Sequence, residues 1–321
     1  MTTRVVVRRP EQAPTGLSRT APQAVLPALC LGVVVLLVLR QVVGPTGHGD
    51  EVAATWAGSA ASLVVQAAGV ITVGWLALIA LVLDRSGGPL GVEQVRCLRP
   101  AARAAAAWSL VSLGAVALTS VQAGARPGAV PLAAAASAGL LSAAVPRLRS
   151  SNGANTLLVL ALAALVGPGV LEHVADGHAD TTVVAVVLHA CAAGIWVGGL
   201  CSLLVLSRSA PDVAGAALPR LSGLALLCVV VLASSGLVTA LSRLHGFGAV
   251  TDTTYGRLVL VKVGLLAVLC GLGALQRRLV LEALPRRGLT ATFRRLAAVE
   301  VALLFVVLGV AAVLSEVGAA G

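Results

Sequence analysis

The chain has 321 residues, 58% of them hydrophobic and only 11% charged, with a mean hydropathy of +0.98. That composition excludes a soluble globule and predicts a polytopic membrane protein. The formal net charge of +10 would point to nucleic acid in a soluble protein. Here the arginines stand in short segments between apolar runs, which is the pattern of topogenic charge, so the expected partner is membrane lipid and not nucleic acid.

Residues 1–23 hold Arg4, Arg8, Arg9 and Arg19 among Pro10, Pro14 and Pro22, and read as a disordered cytoplasmic tail. The apolar run 24–43 reads as a first transmembrane helix. A signal peptide is disfavoured because the tail is long and no small-x-small cleavage pattern follows Arg40. Further runs over 56–83, 104–123, 131–145, 155–174, 182–206, 221–241, 257–280 and 296–314 bring the expectation to about nine transmembrane helices in an all-α fold. With the N-terminus inside, 18 of the 23 basic residues fall in the tail and in 84–103, 146–154, 207–220 and 277–295; the exceptions are Arg40, Arg126, Arg243, Arg257 and Lys262. This asymmetry predicts a cell-membrane protein with a cytoplasmic N-terminus and an outer C-terminus. Of the six cysteines, Cys30, Cys191, Cys201, Cys228 and Cys270 fall in spans and Cys97 in an inner loop, so no disulfide framework is expected.

An internal repeat is visible. Val73 opens VGWLALIALVLDRS and Val197 opens VGGLCSLLVLSRS; Gly114 opens GAVALTSVQAG and Gly236 opens GLVTALSRLHG. The offsets are 124 and 122 residues, with the same membrane direction, which suggests a parallel duplication of a four-helix unit, 56–174 and then 182–314. His189 corresponds to Val65 and Lys262 to Leu140, so function is expected to concentrate in the second unit, with the first as support.

The stretch HACAAGIWVGGL, His189 to Leu200, places an imidazole, an indole and a glycine pair inside one span. His189 lies about seven residues into its span, roughly 10 Å below the outer boundary. Ser234, Ser235 and Lys262 are expected at similar depth, and ionisable groups there normally face a bundle interior or a wet cavity. Lys262 has the alternative of snorkelling to the headgroups. His189, Ala193 and Trp196 share a helical face, with Trp196 either lining a site or packing. Gly198 and Gly199 are expected to permit close helix approach. All five histidines, including His48, His173, His178 and His245, fall on the outer side, and neutral imidazole beside carboxylate suits a transition-metal cation such as copper or zinc. The chain holds no nucleotide-binding loop, HExxH or GxSxG; no catalytic residue and no enzyme activity are expected.

These residues resemble the copper resistance protein D (CopD-like) family. The resemblance runs over about 182–280: His189 before Trp196, Val197, Gly198 and Gly199; Ser235 with Gly236; then Thr253, Thr254, Tyr255, Gly256, Leu260 and Lys262. It implies a bacterial membrane protein of copper homeostasis that moves copper inward, beside a periplasmic or extracellular copper-binding protein. Under it, His189, His173, His178 and His245 are metal ligands and Lys262 a gate or counter-charge. Copper is preferred over zinc only by this resemblance. Two other readings stay open: a haem-binding redox protein, since histidine in a bundle is a haem ligand, and a non-transporting assembly or sensory partner of a copper enzyme.

Overall fold

The computed structural model describes residues 28–35, 49–83, 88–124, 126, 128–175, 180–243, 249–287 and 291–319. The protein is an all-α, polytopic membrane protein. Helix α1 covers 28–35. There follow α2 (Gly49–Ala77, continued by a π-helical turn, Leu78–Leu83), α3 (Val92–Ala123), α4 (Ala129–Ala144), α5 (Ser151–Ala175), α6 (Asp180–Ser209), α7 (Pro211–Arg243), the short α8 (Ala249–Asp252), α9 (Thr254–Arg287) and α10 (Ala291–Ala319). Among the described residues, seven helices are long and apolar enough to cross a membrane. Of the other two predicted spans, 24–43 is described only in α1 and 296–314 lies within α10. The predicted tail, 1–23, lies outside the described residues.

Helix α2 is the centre of the bundle. Its span is 72% buried, that of α6 is 44%, and those of α5, α7 and α9 are 17%, 17% and 11%. Peripheral helices turn Leu110, Val121, Leu140, Val159, Leu226 and Leu237 outward, which in hydrocarbon is the stable arrangement because lipid is as apolar as a protein core. The seam between α2 and α6 is made by two glycines. A Cβ on Gly74 would overlap the Gly198 carbonyl, and one on Gly198 would overlap the Val70 carbonyl oxygen, so only glycine fits on either side. Gly74 and Gly198 stand 124 residues apart, at the offset of the sequence repeat. Gly199 faces α7 instead, where a Cβ would lie 2.9 Å from Leu221 Cδ1.

Several segments expected as inner loops are helical. Residues 84–103 were predicted to be a loop, but α3 begins at Val92, and Cys97 is consequently buried in the core. Gln94 makes this possible: its Oε1 accepts from Gly91 N–H at 2.9 Å, and its Nε2 donates to Ile79 O at 2.8 Å and Ser151 Oγ at 3.3 Å. One side chain therefore starts α3 and satisfies a carbonyl of the π-helical turn. The segment 207–220 shrinks to Ala210, because Pro211 starts α7 with a residue suited to a first helical position. Hydropathy marks where the chain meets hydrocarbon, and a helix can continue past that boundary. Helix α9 has 34 residues, about 50 Å at the helical rise, against a hydrocarbon core of about 30 Å.

Arg220 anchors this end. Its Nη1 donates to Val82 O and Leu83 O, both at 3.0 Å, putting a cation and two donors on the C-terminal carbonyls of the π-helical turn. Backbone bonds from Leu90 N to Arg149 O (3.1 Å) and Ser151 N to Gly88 O (3.0 Å) join the segment before α3 to the one before α5. At the opposite end, Leu63, Leu258 and Val310 form a small cluster with Val33 and Val35 packed against it. Gly32 lets α1 approach the Phe305 carbonyl of α10.

Candidate functional site

The site is built where α6, α7 and α9 face one another in the half of the bundle away from the basic connections. Half-buried His189 on α6 meets buried Ser235 on α7, with His189 Nδ1 3.1 Å from Ser235 Oγ. The direction of this bond can be deduced. Ser235 Oγ lies 2.6 Å from Val231 O and 3.3 Å from Leu232 O of its own helix, so its single hydroxyl proton is donated to a carbonyl. Ser235 then has only lone pairs to offer the ring, and Nδ1 must carry the proton. A neutral imidazole protonated on Nδ1 presents the Nε2 lone pair, the form in which histidine binds a transition metal.

Gly236 provides the surface on which the ring lies: a Cβ there would sit 3.6 Å from His189 Cε1 and 3.8 Å from Nδ1. Lys262, half-buried on α9, brings its ammonium within electrostatic reach of His189. The Thr253–Lys262 segment enters its helix through a cap, Gly256 N–H donating to Thr253 Oγ1 at 3.0 Å and Arg257 N–H to Thr253 O at 3.1 Å. Half-buried Tyr255 lies in that first turn.

The structure therefore brings His189, Ser235 and Gly236 into contact, with Lys262 within electrostatic reach. It does not add Ser234, which is exposed and returns its hydroxyl to Val230 O at 3.0 Å and Val231 O at 3.1 Å. Neighbouring residues on a helix point about 100° apart, so both serines cannot face α6. Trp196 is buried but lines a different cavity, near the basic end, with Leu200, Gln276 and Glu300. Gly198 and Gly199 pack helices. His173 lies in the last turn of α5 with its side chain outside the described set, and His48, His178 and His245 lie outside the described residues. Among the described residues no group of three or more His, Cys, Asp or Glu side chains converges, so His189 is the one predicted metal ligand whose surroundings are described. Cys201 and Cys228 are buried and Cys270 is exposed.

Glu300 and Gln276 were missed by the motif reading. Glu300 carried a visible signal, a carboxyl group inside the predicted span 296–314. Gln276 carried none, because nothing local says which way an amide near the end of a long helix will face.

Residues 215–314 match the family model for Copper resistance protein D. That stretch of the chain is CopD-like. The match takes in most of α7, α8, α9 and most of α10, and so Ser235, Gly236, Tyr255, Lys262, Gln276 and Glu300; His189 and Trp196 precede it. The protein named "Copper transport protein CutJ" from Bacillus subtilis (strain 168) is 34% identical over 122 residues, which cover 36% of this chain and 22% of that protein. The chain thus spans well under two thirds of that relative's length. No solved structure matches the chain. By its apolar helices the chain is a multi-pass membrane protein, and its similarities are to a copper resistance protein family and a copper transport protein.

Proposed function

We propose that this CopD-like protein transports copper ions inward across the cytoplasmic membrane, with His189 as the deepest ligand on the outer side. The observation that carries this reading is the hydrogen bond chain from His189 Nδ1 to Ser235 Oγ to Val231 O. It fixes the ring tautomer from behind, as outer-shell partners do for metal-bound histidines, and leaves Nε2 as the ligating atom. The curated relative's name supports copper as cargo.

In this reading Lys262 is a counter-charge. A cation at His189 is repelled by the ammonium of Lys262, which keeps binding from becoming too tight for release. His173, His178 and His245 are the first ligands met from outside, and a periplasmic or extracellular copper-binding protein is the donor. The orientation, N-terminus cytoplasmic and C-terminus outside, rests on the distribution of arginine. The second unit conducts and the first supports it, in line with the glycine contact at counterpart positions of the repeat. No observation favours haem, which would need a second ligand facing His189.

The test is the copper content and copper uptake of the full chain in lipid vesicles. His189→Ala is expected to lose at least about tenfold in copper affinity and to abolish uptake. Wild-type protein that binds and accumulates no copper sinks the reading; a Soret band in purified protein would replace it with haem.

A further inference from the structure

The CopD-like unit has a second polar place, near the basic end of the bundle, that the copper reading does not use. A cavity of about 120 Å³ opens between α6, α7, α9 and α10, with Trp196, Ser222, Gly273, Gln276, Arg277 and Glu300 on its wall. Glu300 is 4% exposed and Gln276 8% exposed. With the Gln276 amide oriented to satisfy both its ends, its nitrogen donates to Glu300 Oε2 at 2.9 Å and its oxygen accepts from Ala297 N–H at 3.3 Å. The other carboxyl oxygen, Oε1, looks toward Gly273, where a Cβ would stand 3.9 Å away. Carboxyl groups at such depth are costly unless something uses them.

Among the described residues, the charged and titratable groups around Glu300 are few. Arg277 of α9 is exposed at the cavity wall and Cys270 of α9 lies within electrostatic reach. Helices α6 and α7 contribute neutral residues, Trp196, Leu200 and Ser222 among them. One carboxyl group and one amide are too few ligands for a divalent ion, which takes about four to eight, and no group of three His, Cys, Asp or Glu converges among the described residues. The cation that a single carboxylate binds alone is the proton. The cavity has room for several waters, each needing about 10–15 Å³ of such volume, to deliver it.

We propose that Glu300 is a proton-binding site reached through this cavity from the basic end of the bundle. The carboxylate takes a proton from cavity water to give the neutral acid, and no electron moves. Gln276 holds Oε2 in place in both states, since its N–H donates to either form. The site stands without the copper reading; what rests on that reading is its use, a proton exchanged against the transported cation.

A hydrophobic carbodiimide, which adds to a protonated carboxyl group, tests this on the full chain in lipid vesicles, with adducts mapped by peptide mass spectrometry. The expected result is an adduct on Glu300 whose yield falls at least about tenfold between about pH 5 and about pH 9. No adduct on Glu300 at any pH, or a yield that is flat with pH, overturns the proposal. Trp196 emission provides a second readout. A pH-dependent change lost in both Glu300→Gln and Trp196→Phe supports the site, and one that survives Glu300→Gln overturns it. Copper is absent from both measurements, so a protein that labels at Glu300 but binds no copper sinks the transport reading alone.

Discussion

Removing the Ser235 hydroxyl leaves His189 without the acceptor that decides which nitrogen holds the proton. Ser235→Ala is therefore expected to weaken copper binding by about 10- to 100-fold while leaving the fold intact, because Val231 O and Leu232 O keep their places in the α7 backbone. Isothermal titration with copper checks this, and Ser235→Thr, which restores the oxygen, should recover most of the loss. Gly236→Val makes a complementary test. A Cβ alone would be tolerated at 3.6 Å from the ring, but branched methyl groups would push His189 away. Its copper affinity should fall although no polar atom has been removed.

At the scale of the helix, the glycine seam and the arginine clamp make separate predictions. Gly74→Ala and Gly198→Ala each force backbone apart from backbone, so each should cost about 3 kcal/mol or more. Gly264→Ala, where a Cβ meets nothing within 4 Å, should stay within about 0.5 kcal/mol of wild type. Unfolding in mixed detergent measures both. Arg220→Ala removes two charge-assisted donors from the end of the π-helical turn and should cost about 1–2 kcal/mol, less fully restored by Lys, which lacks the fork. The transmembrane helices were legible because about twenty apolar residues in a row have few other fates. Their ends were not: Gln94 starts α3 through contacts with Ile79 and Ser151, distant in sequence. The candidate site was half legible for the same reason. The depth of His189 follows from counting along one helix, whereas the choice of Ser235 over Ser234, and the pairing of Gln276 with Glu300, depends on how helices are rotated against neighbours.

For the whole molecule, the placement of α2 predicts that the part of the chain from α6 onward does not fold alone. The family match begins at residue 215, yet α6 is packed on α2 through Gly74 and Gly198, so a chain lacking 49–174 exposes the seam on which α6 rests. Such a truncation is expected to aggregate or be degraded in membranes, and co-expression of the missing half should rescue it. The seam also determines which parts of the protein can move. Two backbones in direct contact cannot approach further, and separating them would open a void through the centre of the bundle, so the α2–α6 spacing is expected to stay fixed. Helix α9 has 11% of its span buried, against 72% for α2 and 44% for α6, so under the proposed transport function it is the element expected to shift, with Lys262, relative to His189. Spin labels on exposed positions should accordingly show a fixed α2–α6 distance and an α6–α9 distance that changes when copper is added. In mechanical terms, the proposed transport would give the cargo a fixed post in α2–α6 and a charged arm in α9.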